Sequence, residues 1–414
     1  MISAAILIAL WILVIEYSFI KKRLESKAEG PLFWAFSFLI ALSILYLIAF
    51  LQINTLPDLW WNQFAIKAEL ILACIYIAYQ GLNGKLSGCL LTSFKGKGKS
   101  TNILIAIVTT FLIIFSLTTS APLNWDSNAY NLARVPTMLS EGSTVLLPST
   151  ASARQAIFPL AHDLVFYPDL AVGNLRGLPL INTFEFIVMW CTLLTITEII
   201  MQKIAQSNPG FQWGYLYSLA SLISSTLLLN GNLQVMQAVH TKNDLIITLL
   251  FSLNIAFCLL GLNLKNNTPE KTAEISFALI FLSCLSISTK AYGVIALIPA
   301  IIFFVILKLR GQFIATVLSI RKLLRKKDSN FWKIILLGCI LLLATHWLQN
   351  HAIQSAWSGE IARVKGITND WTNTDGLLHE RLSNAFINGQ RFILQGALFP
   401  FTAMKPYMPI GNDI

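Results

Sequence analysis

The stretch that decides the fold is a continuous apolar run, PLFWAFSFLIALSILYLIAFL at residues 31–51. It contains no charged residue, and it is as long as the ~20 residues that a helix needs to cross a ~30 Å hydrocarbon core. The whole chain has the same character, since 55% of its 414 residues are hydrophobic and only 12% are charged. Soluble domains carry about 25% charged residues. The composition therefore predicts an all-α integral membrane protein.

Nine further apolar runs bring the number of predicted membrane-spanning helices to about ten. The ten runs are Ile2–Ile20, Pro31–Leu51, Ala65–Gly84, Ile103–Ser120, Leu178–Ile200, Gly214–Leu229, Leu245–Leu264, Ile275–Lys290, Gly293–Leu309 and Ile334–Leu348. The eighth and ninth runs are short and meet at residues 289–293. A re-entrant pair is one interpretation of this junction, and two tightly joined spans are the preferred one.

Basic residues in the short connections predict the orientation. They follow the first and third spans and surround the connection between the ninth and tenth. They are Lys21, Lys22, Arg23, Lys27, Lys85, Lys95, Lys97, Lys99, Lys308, Arg310, Arg321, Lys322, Arg325, Lys326, Lys327 and Lys333. By the positive-inside rule this places the N-terminus outside a plasma (inner) membrane. The first span has no basic residues before it and is interpreted as a membrane anchor rather than a cleaved signal peptide. The run 321–327 is expected to orient a helix hairpin against anionic lipid.

This topology divides the chain into four parts. Residues 1–120 form N-terminal transmembrane helices, 121–177 an external loop with interfacial helices, 178–350 a transmembrane core, and 351–414 an external C-terminal segment. The external segments are Asn54–Phe64, Ala121–Gly177, Asn230–Asp244 and His351–Ile414. Loops longer than about 15 residues are usually functional or disordered. The aromatic residues of Ala121–Gly177 favour a functional, folded loop.

The first long loop opens with a helical pattern at residues 124–136. Asp126, Tyr130 and Arg134 are spaced four apart, so they lie on one helix face. Such a face could belong to a site. In the alternative interpretation Asp126 caps the helix and Arg134 pairs locally.

Other polar residues lie where predicted spans meet the external side. Adjacent His162 and Asp163 could handle protons or bind a metal, or could form a solvated interfacial turn. His240 and Asp244 are one helical turn apart and share a face, although Asp244 could also be a helix cap. Lys290, at the end of the eighth span, could snorkel to water or pair with a lipid phosphate.

Acidic residues within the apolar runs are few and scattered singly. They are Glu16, Glu69, Glu185 and Glu198, and they do not form a relay pattern. No P-loop, GxSxG, HExxH or GxGxxG motif occurs in a supporting context, so ATP-driven transport and standard hydrolase chemistry lack support. Inverted half-repeats, which are typical of secondary transporters, are not visible.

Four short elements, taken in order, resemble a known family. Residues 125–135 (WDSNAYNLARV), 158–162 (FPLAH), 241–245 (TKNDL) and 288–290 (STK) are similar to motifs of polytopic GT-C glycosyltransferases related to the dolichyl-phosphate-mannose protein mannosyltransferases. The resemblance runs from about residue 103 to 310. The family pattern has His where Asn131 stands and Glu where His162 stands, and Asp163 could replace that Glu. Family members commonly continue with further spans and an external C-terminal domain.

The resemblance implies a GT-C-like bundle that moves a sugar from a polyprenyl-phosphate carrier to a glycan, lipid or protein acceptor at the external face. It assigns the catalytic base to Asp126, and the needs of a phosphate leaving group suggest Lys242, Lys290 and Arg134 as its binding residues. The residues expected to bind sugar or acceptor are Trp125, Tyr130, His162, Asp163, His240 and Asp244. The implied donor substrate is a polyprenyl-phosphate-linked sugar. The requirement for a divalent metal is left open, and no nucleic-acid partner is expected.

Two other classes of function use the same residues differently. A carrier or flippase of lipid-linked sugars would hold phosphate with the basic groups but would need no base. A non-catalytic assembly subunit would need neither the phosphate-binding groups nor the base. The substitution Asp126→Asn separates all three.

Overall fold

A computed structural model describes residues 3–15, 30–56, 58–82, 132–146, 160–173, 178–207, 244–263, 268–289, 291–325 and 330–356, together with single positions between 107 and 117 and residue 223. Within these residues the structure is helical and has no strand. The helices are α1 (Ser3–Ile15), α2 (Gly30–Thr55), α3 (Leu59–Leu82), α4 (Leu132–Glu141), α5 (Tyr167–Ala171), α6 (Leu180–Ser207), α7 (Asp244–Asn263), α8 (Pro269–Thr289), α9 (Ile298–Leu309), α10 (Phe313–Arg325) and α11 (Asn330–Ala356). Two 3-10 turns, Asp163–Phe166 and Ala291–Leu297, precede α5 and α9.

Six helices of the described part are long and apolar enough to cross a membrane: α2, α3, α6, α7, α8 and α11. The chain is therefore a multi-pass membrane protein. The second, third, fifth, seventh, eighth and tenth predicted spans fall on these helices. The first predicted span corresponds to the shorter α1. Most of the fourth span, and all of the sixth except residue 223, fall outside the described residues.

Several predicted boundaries are wrong. The segment Asn54–Phe64 is largely helical, because α2 continues to Thr55 and α3 begins at Leu59. The eighth span is not short, since α8 begins before the apolar run, at Pro269. The tenth span was predicted to end at residue 348, whereas α11 continues to Ala356. In each case polar residues extend a helix beyond its apolar part, which a hydropathy scan does not detect.

Helix α2 is at the centre of the core. The Phe36 ring makes edge-on contacts with Phe257 of α7 and Phe281 of α8, at centroid distances of 5.7 and 5.4 Å. Nearer the other end of α2, the Tyr46 hydroxyl donates a 2.9 Å hydrogen bond to the hydroxyl of Thr345 in α11. Aromatic contacts and a hydrogen-bonded buried hydroxyl thus join α2, which contains residues 31–51, to three other helices.

Hydrogen bonds between distant segments show which helix ends lie together. They join Ser3 N to Asp169 Oδ1 (2.6 Å), Asn54 Nδ2 to Thr144 Oγ1 (2.9 Å), Tyr167 Oη to Asn62 Oδ1 (2.5 Å) and Ala161 N to Ser288 O (3.3 Å). The start of α1, the end of α2, the start of α3 and the end of α8 are therefore at one end of the bundle. The same end holds residues 132–146 and 160–173 of the long loop. Strict alternation of the spans predicts this grouping.

The opposite end of the bundle carries a sharp bend. Residues 293–309 and α10 meet at 112°, separated by a break at residues 310–312 where Gly311 adopts a positive φ of 67°. Lys322 of α10 lies 3.8 Å from Glu270 in the first turn of α8. The stacked rings of Phe277 and Trp332 join α8 to the start of α11 nearby. The connection between the ninth and tenth predicted spans is thus a helix of its own.

Candidate functional site

A buried ion pair joins the two described parts of the long loop. Arg134 in α4 and Asp163 in the 3-10 turn have side chains that are each only 1% exposed, with Nη1 and Oδ2 2.6 Å apart. Burial lowers the pKa of the Arg134 guanidinium, and the Asp163 carboxylate opposes that shift. Because arginine stays protonated in proteins, the contact is a charge-assisted hydrogen bond. Arg134 therefore pairs with a residue far along the chain rather than locally.

A second buried pair lies directly beside the first. His162 Nε2 and Glu185 Oε1 are 3.0 Å apart, with side-chain exposures of 1% and 0%. Glu185 belongs to the N-terminal part of α6, so this contact fixes the loop to a membrane-spanning helix. The His162 ring also packs edge-on against Phe166 at a centroid distance of 5.3 Å. The interpretation of His162 and Asp163 as a solvated turn is wrong, because both side chains are buried.

The loop reaches the junction between α8 and α9 as well. Ala161 N donates to Ser288 O, and Ser288 precedes Lys290 by two residues. The chain turns tightly here, since a side chain on Gly293 would collide with the carbonyl oxygen of Ser286. Such an approach requires glycine, which has no Cβ. The chain thus turns tightly between α8 and α9, and this turn lies next to the loop.

Helix α7 starts at the same end. Ile247, in its first turn, is the side chain nearest to Gly293, and further along Cys258 Sγ lies 3.0 Å from Pro299 O. Helix α7 therefore runs alongside the chain from the junction into α9. Its first residue is Asp244, the fourth residue of the TKNDL element. The described parts of all four family-like elements are thus at one end of the bundle.

The loop also holds the N-terminal helix. Asp169, which is 1% exposed, accepts hydrogen bonds from Ser3 N at 2.6 Å and Ala4 N at 3.3 Å. A carboxylate at this position satisfies amide groups of the first helical turn and interacts favourably with the positive end of the helix dipole. Burial raises the pKa of Asp169 to about 6. No local sequence pattern points to Asp169, because its partner Ser3 is 166 positions away.

Several residues assigned from the sequence lie outside the described residues: Trp125, Asp126, Tyr130, His240, Lys242 and Lys290. For Asp244 the backbone is described, as the first residue of α7, and the side chain is not. Among the assigned residues the structure thus brings together Arg134, His162 and Asp163. The other assignments stay predictions.

Glu185 is the residue of the cluster that sequence reasoning overlooked. It counted as one of four isolated acidic residues, although His162 is its partner. Its position gave a usable signal, because it follows Asn182 and Thr183 near the external end of a predicted span. An ionisable residue inside a span is a functional-site candidate, with a partner to be found.

The cluster consists of two buried, paired contacts that join the loop to itself and to α6. Within the described residues there is no group of three or more His, Cys, Asp or Glu side chains that could hold a metal. Both pairs are buried, and together with the Ala161–Ser288 hydrogen bond they join residues 132–146 and 160–173 to α6 and α8. A rigid loop of this kind can hold neighbouring residues in place for binding or catalysis.

Comparisons of the chain with protein-family models, with curated proteins and with solved structures find no match.

Proposed function

We propose that this chain is a GT-C-type membrane glycosyltransferase with about ten transmembrane helices. It moves a sugar from a polyprenyl-phosphate carrier to an acceptor at the extracytoplasmic face of the plasma membrane. The observation that carries the proposal is the gathering of the family-like elements at one end of the bundle. The Ala161–Ser288 hydrogen bond and the two buried acid–base pairs support it most directly.

In the proposed reaction the acceptor hydroxyl attacks the anomeric carbon of the sugar. Asp126 takes the hydroxyl proton as the new C–O bond forms. The bond from the anomeric carbon to the lipid phosphate breaks, and the phosphate leaves with the electron pair. Lys242 and Lys290 neutralise the negative charge that develops on it.

Arg134 has a different place in this proposal. Its side chain is 1% exposed and already bonded to Asp163, so a direct contact with phosphate would require that pair to open. We therefore assign Arg134, Asp163, His162 and Glu185 to positioning the loop. The remaining assignments, with Trp125 and Tyr130 stacking on the sugar and His240 and Asp244 binding sugar or acceptor, are kept as sequence-based proposals.

The test uses the full-length protein in liposomes that contain radiolabelled polyprenyl-phosphate hexoses and pentoses. It measures labelled product, carrier binding and transbilayer movement of the carrier. The wild type should release polyprenyl phosphate and form product. Asp126→Asn should lower transfer by about 10²–10⁴-fold, the typical contribution of a general base, with carrier binding retained.

Other outcomes reject the proposal in distinguishable ways. Unchanged transfer by Asp126→Asn removes Asp126 as the base. Carrier movement without transfer, equal in wild type and variant, identifies a flippase. Neither transfer nor movement in the wild type, with every labelled donor, is the result expected of an assembly subunit. The exposed substitution Ser140→Ala in α4 is a matched control and should leave transfer unchanged.

A further inference from the structure

The end of the bundle opposite the candidate site carries an unusual surface helix. Helix α10 follows α9 after the 112° bend, so it runs roughly across the direction of α9 rather than continuing the span. Its 13 residues make it about 20 Å long, which is too short to cross a ~30 Å hydrocarbon core. A helix with this direction and length fits along a membrane surface.

One stripe of α10 faces the protein. Thr316 and Leu323 are buried, and Ile320 and Leu324 pack partly against the core. These positions recur at intervals of three to four residues, as expected for a helix that packs on one face. The remaining faces are exposed.

The exposed residues of α10 change character along its length. Its first half exposes the apolar side chains Phe313 (39%), Ile314 (73%), Val317 (46%) and Leu318 (59%). Its second half exposes Arg321, Lys322 and Arg325. Apolar and basic residues are thus separated along the exposed side of α10, so one part suits contact with acyl chains and the other suits contact with headgroup phosphates.

Neighbouring elements extend both parts of this surface. Exposed apolar residues continue from α10 onto α9, where Leu309 is 81% exposed. Exposed basic residues continue at Lys308, Arg310 and Lys333. The facing end of α8 contributes two acidic residues, Glu270, which contacts Lys322 at 3.8 Å, and Glu274. Six exposed basic side chains against two acidic ones leave the surface positively charged.

We propose that this surface, α10 with Lys308, Arg310 and Lys333, binds anionic phospholipids of the leaflet at its end of the bundle. Acyl chains cover the apolar half of α10, and the basic half binds headgroup phosphates. The length of α8 agrees with a position of this surface at the membrane face opposite the candidate site. Glu270 and Ser288 lie at its two ends and are about 27 Å apart along the helix axis, close to the thickness of a hydrocarbon core. The candidate site and the lipid surface thus lie at opposite membrane faces, and this proposal does not depend on the proposed transferase activity.

The test titrates phosphatidylglycerol or phosphatidylcholine into the purified protein in a neutral detergent and counts bound lipids by native mass spectrometry. Each basic residue near an anionic membrane surface strengthens attraction about fivefold. We therefore expect a preference for phosphatidylglycerol, and a loss of at least fivefold in its apparent affinity in the double variant Arg321→Gln/Arg325→Gln. Affinity for phosphatidylcholine should not change.

The control is Lys67→Gln, which removes an exposed charge from α3 in the half nearer the candidate site and should behave as the wild type. Raising the salt concentration is a second measurement on the unaltered protein, and it should weaken binding of phosphatidylglycerol selectively. Equal binding of both lipids by the wild type would overturn the proposal. So would an equal loss of affinity in the α10 variant and the control, since the binding would then come from overall charge.

Discussion

The Arg134–Asp163 pair makes the energetic role of the loop cluster measurable. Asp163→Asn removes the negative charge and leaves the Arg134 guanidinium buried without its counter-charge. Breaking a buried ion pair on one side costs about 3–5 kcal/mol. Because both side chains are 1% exposed and the contact is 2.6 Å long, desolvation is nearly complete and the upper part of that range applies.

The measurement is the free energy of unfolding of the detergent-solubilised protein, taken from a reversible SDS titration in mixed micelles. A loss of about 4–5 kcal/mol lowers the folded-to-unfolded ratio about 10³–10⁴-fold. Arg134→Met should cost a similar amount. The double variant should cost less than the sum of the two, with a coupling energy of about 2 kcal/mol or more, because neither charge is then left alone.

An exposed ion pair is the matched control. Lys322 and Glu270 are 3.8 Å apart, with side-chain exposures of 71% and 48%. Lys322→Gln should therefore cost less than about 1 kcal/mol. If Asp163→Asn is no more destabilising than this control, or if the costs of Asp163→Asn and Arg134→Met simply add, the pair is not a coupled buried interaction and our reasoning is refuted.

Two further predictions concern the same end of the bundle. The pKa of Asp169 is raised by burial to about 6 from 3.8, so between these pH values the native state binds more protons than the unfolded state, and stability falls as pH rises through this window. This difference in pKa corresponds to at most about 3 kcal/mol of folding stability. The wild type should therefore show a difference in thermal midpoint between pH 5 and pH 7.5 that is smaller in Asp169→Asn. An unchanged difference would contradict the prediction. Gly293→Ala should displace the chain after α8 and lower the thermal midpoint, because the new methyl group meets the Ser286 carbonyl. A thermal midpoint equal to that of the wild type would refute the close packing of Gly293 against Ser286.

The sequence determined the class of protein and most of its spans, because membrane insertion depends on a local sum of side-chain hydrophobicity. The runs 31–51, 178–200 and 245–264 were each assigned to a span, and their residues 31–51, 180–200 and 245–263 lie in long helices of the structure. Alternation of the spans also predicted which helix ends lie together. Helix ends were less accurate, since the polar residues that extend α8 and α11 have no hydropathy signal.

Only the tertiary structure decided the partners of the ionisable residues. Arg134 and Asp163 are 29 positions apart and His162 and Glu185 are 23 apart, so no local pattern links them. The same holds for Asp169 at the start of α1, and for the bend that turns α10 away from α9. Hydrophobicity is a property of each segment alone, whereas the pairing of buried charges depends on which segments pack together, and packing is settled only when the chain has folded.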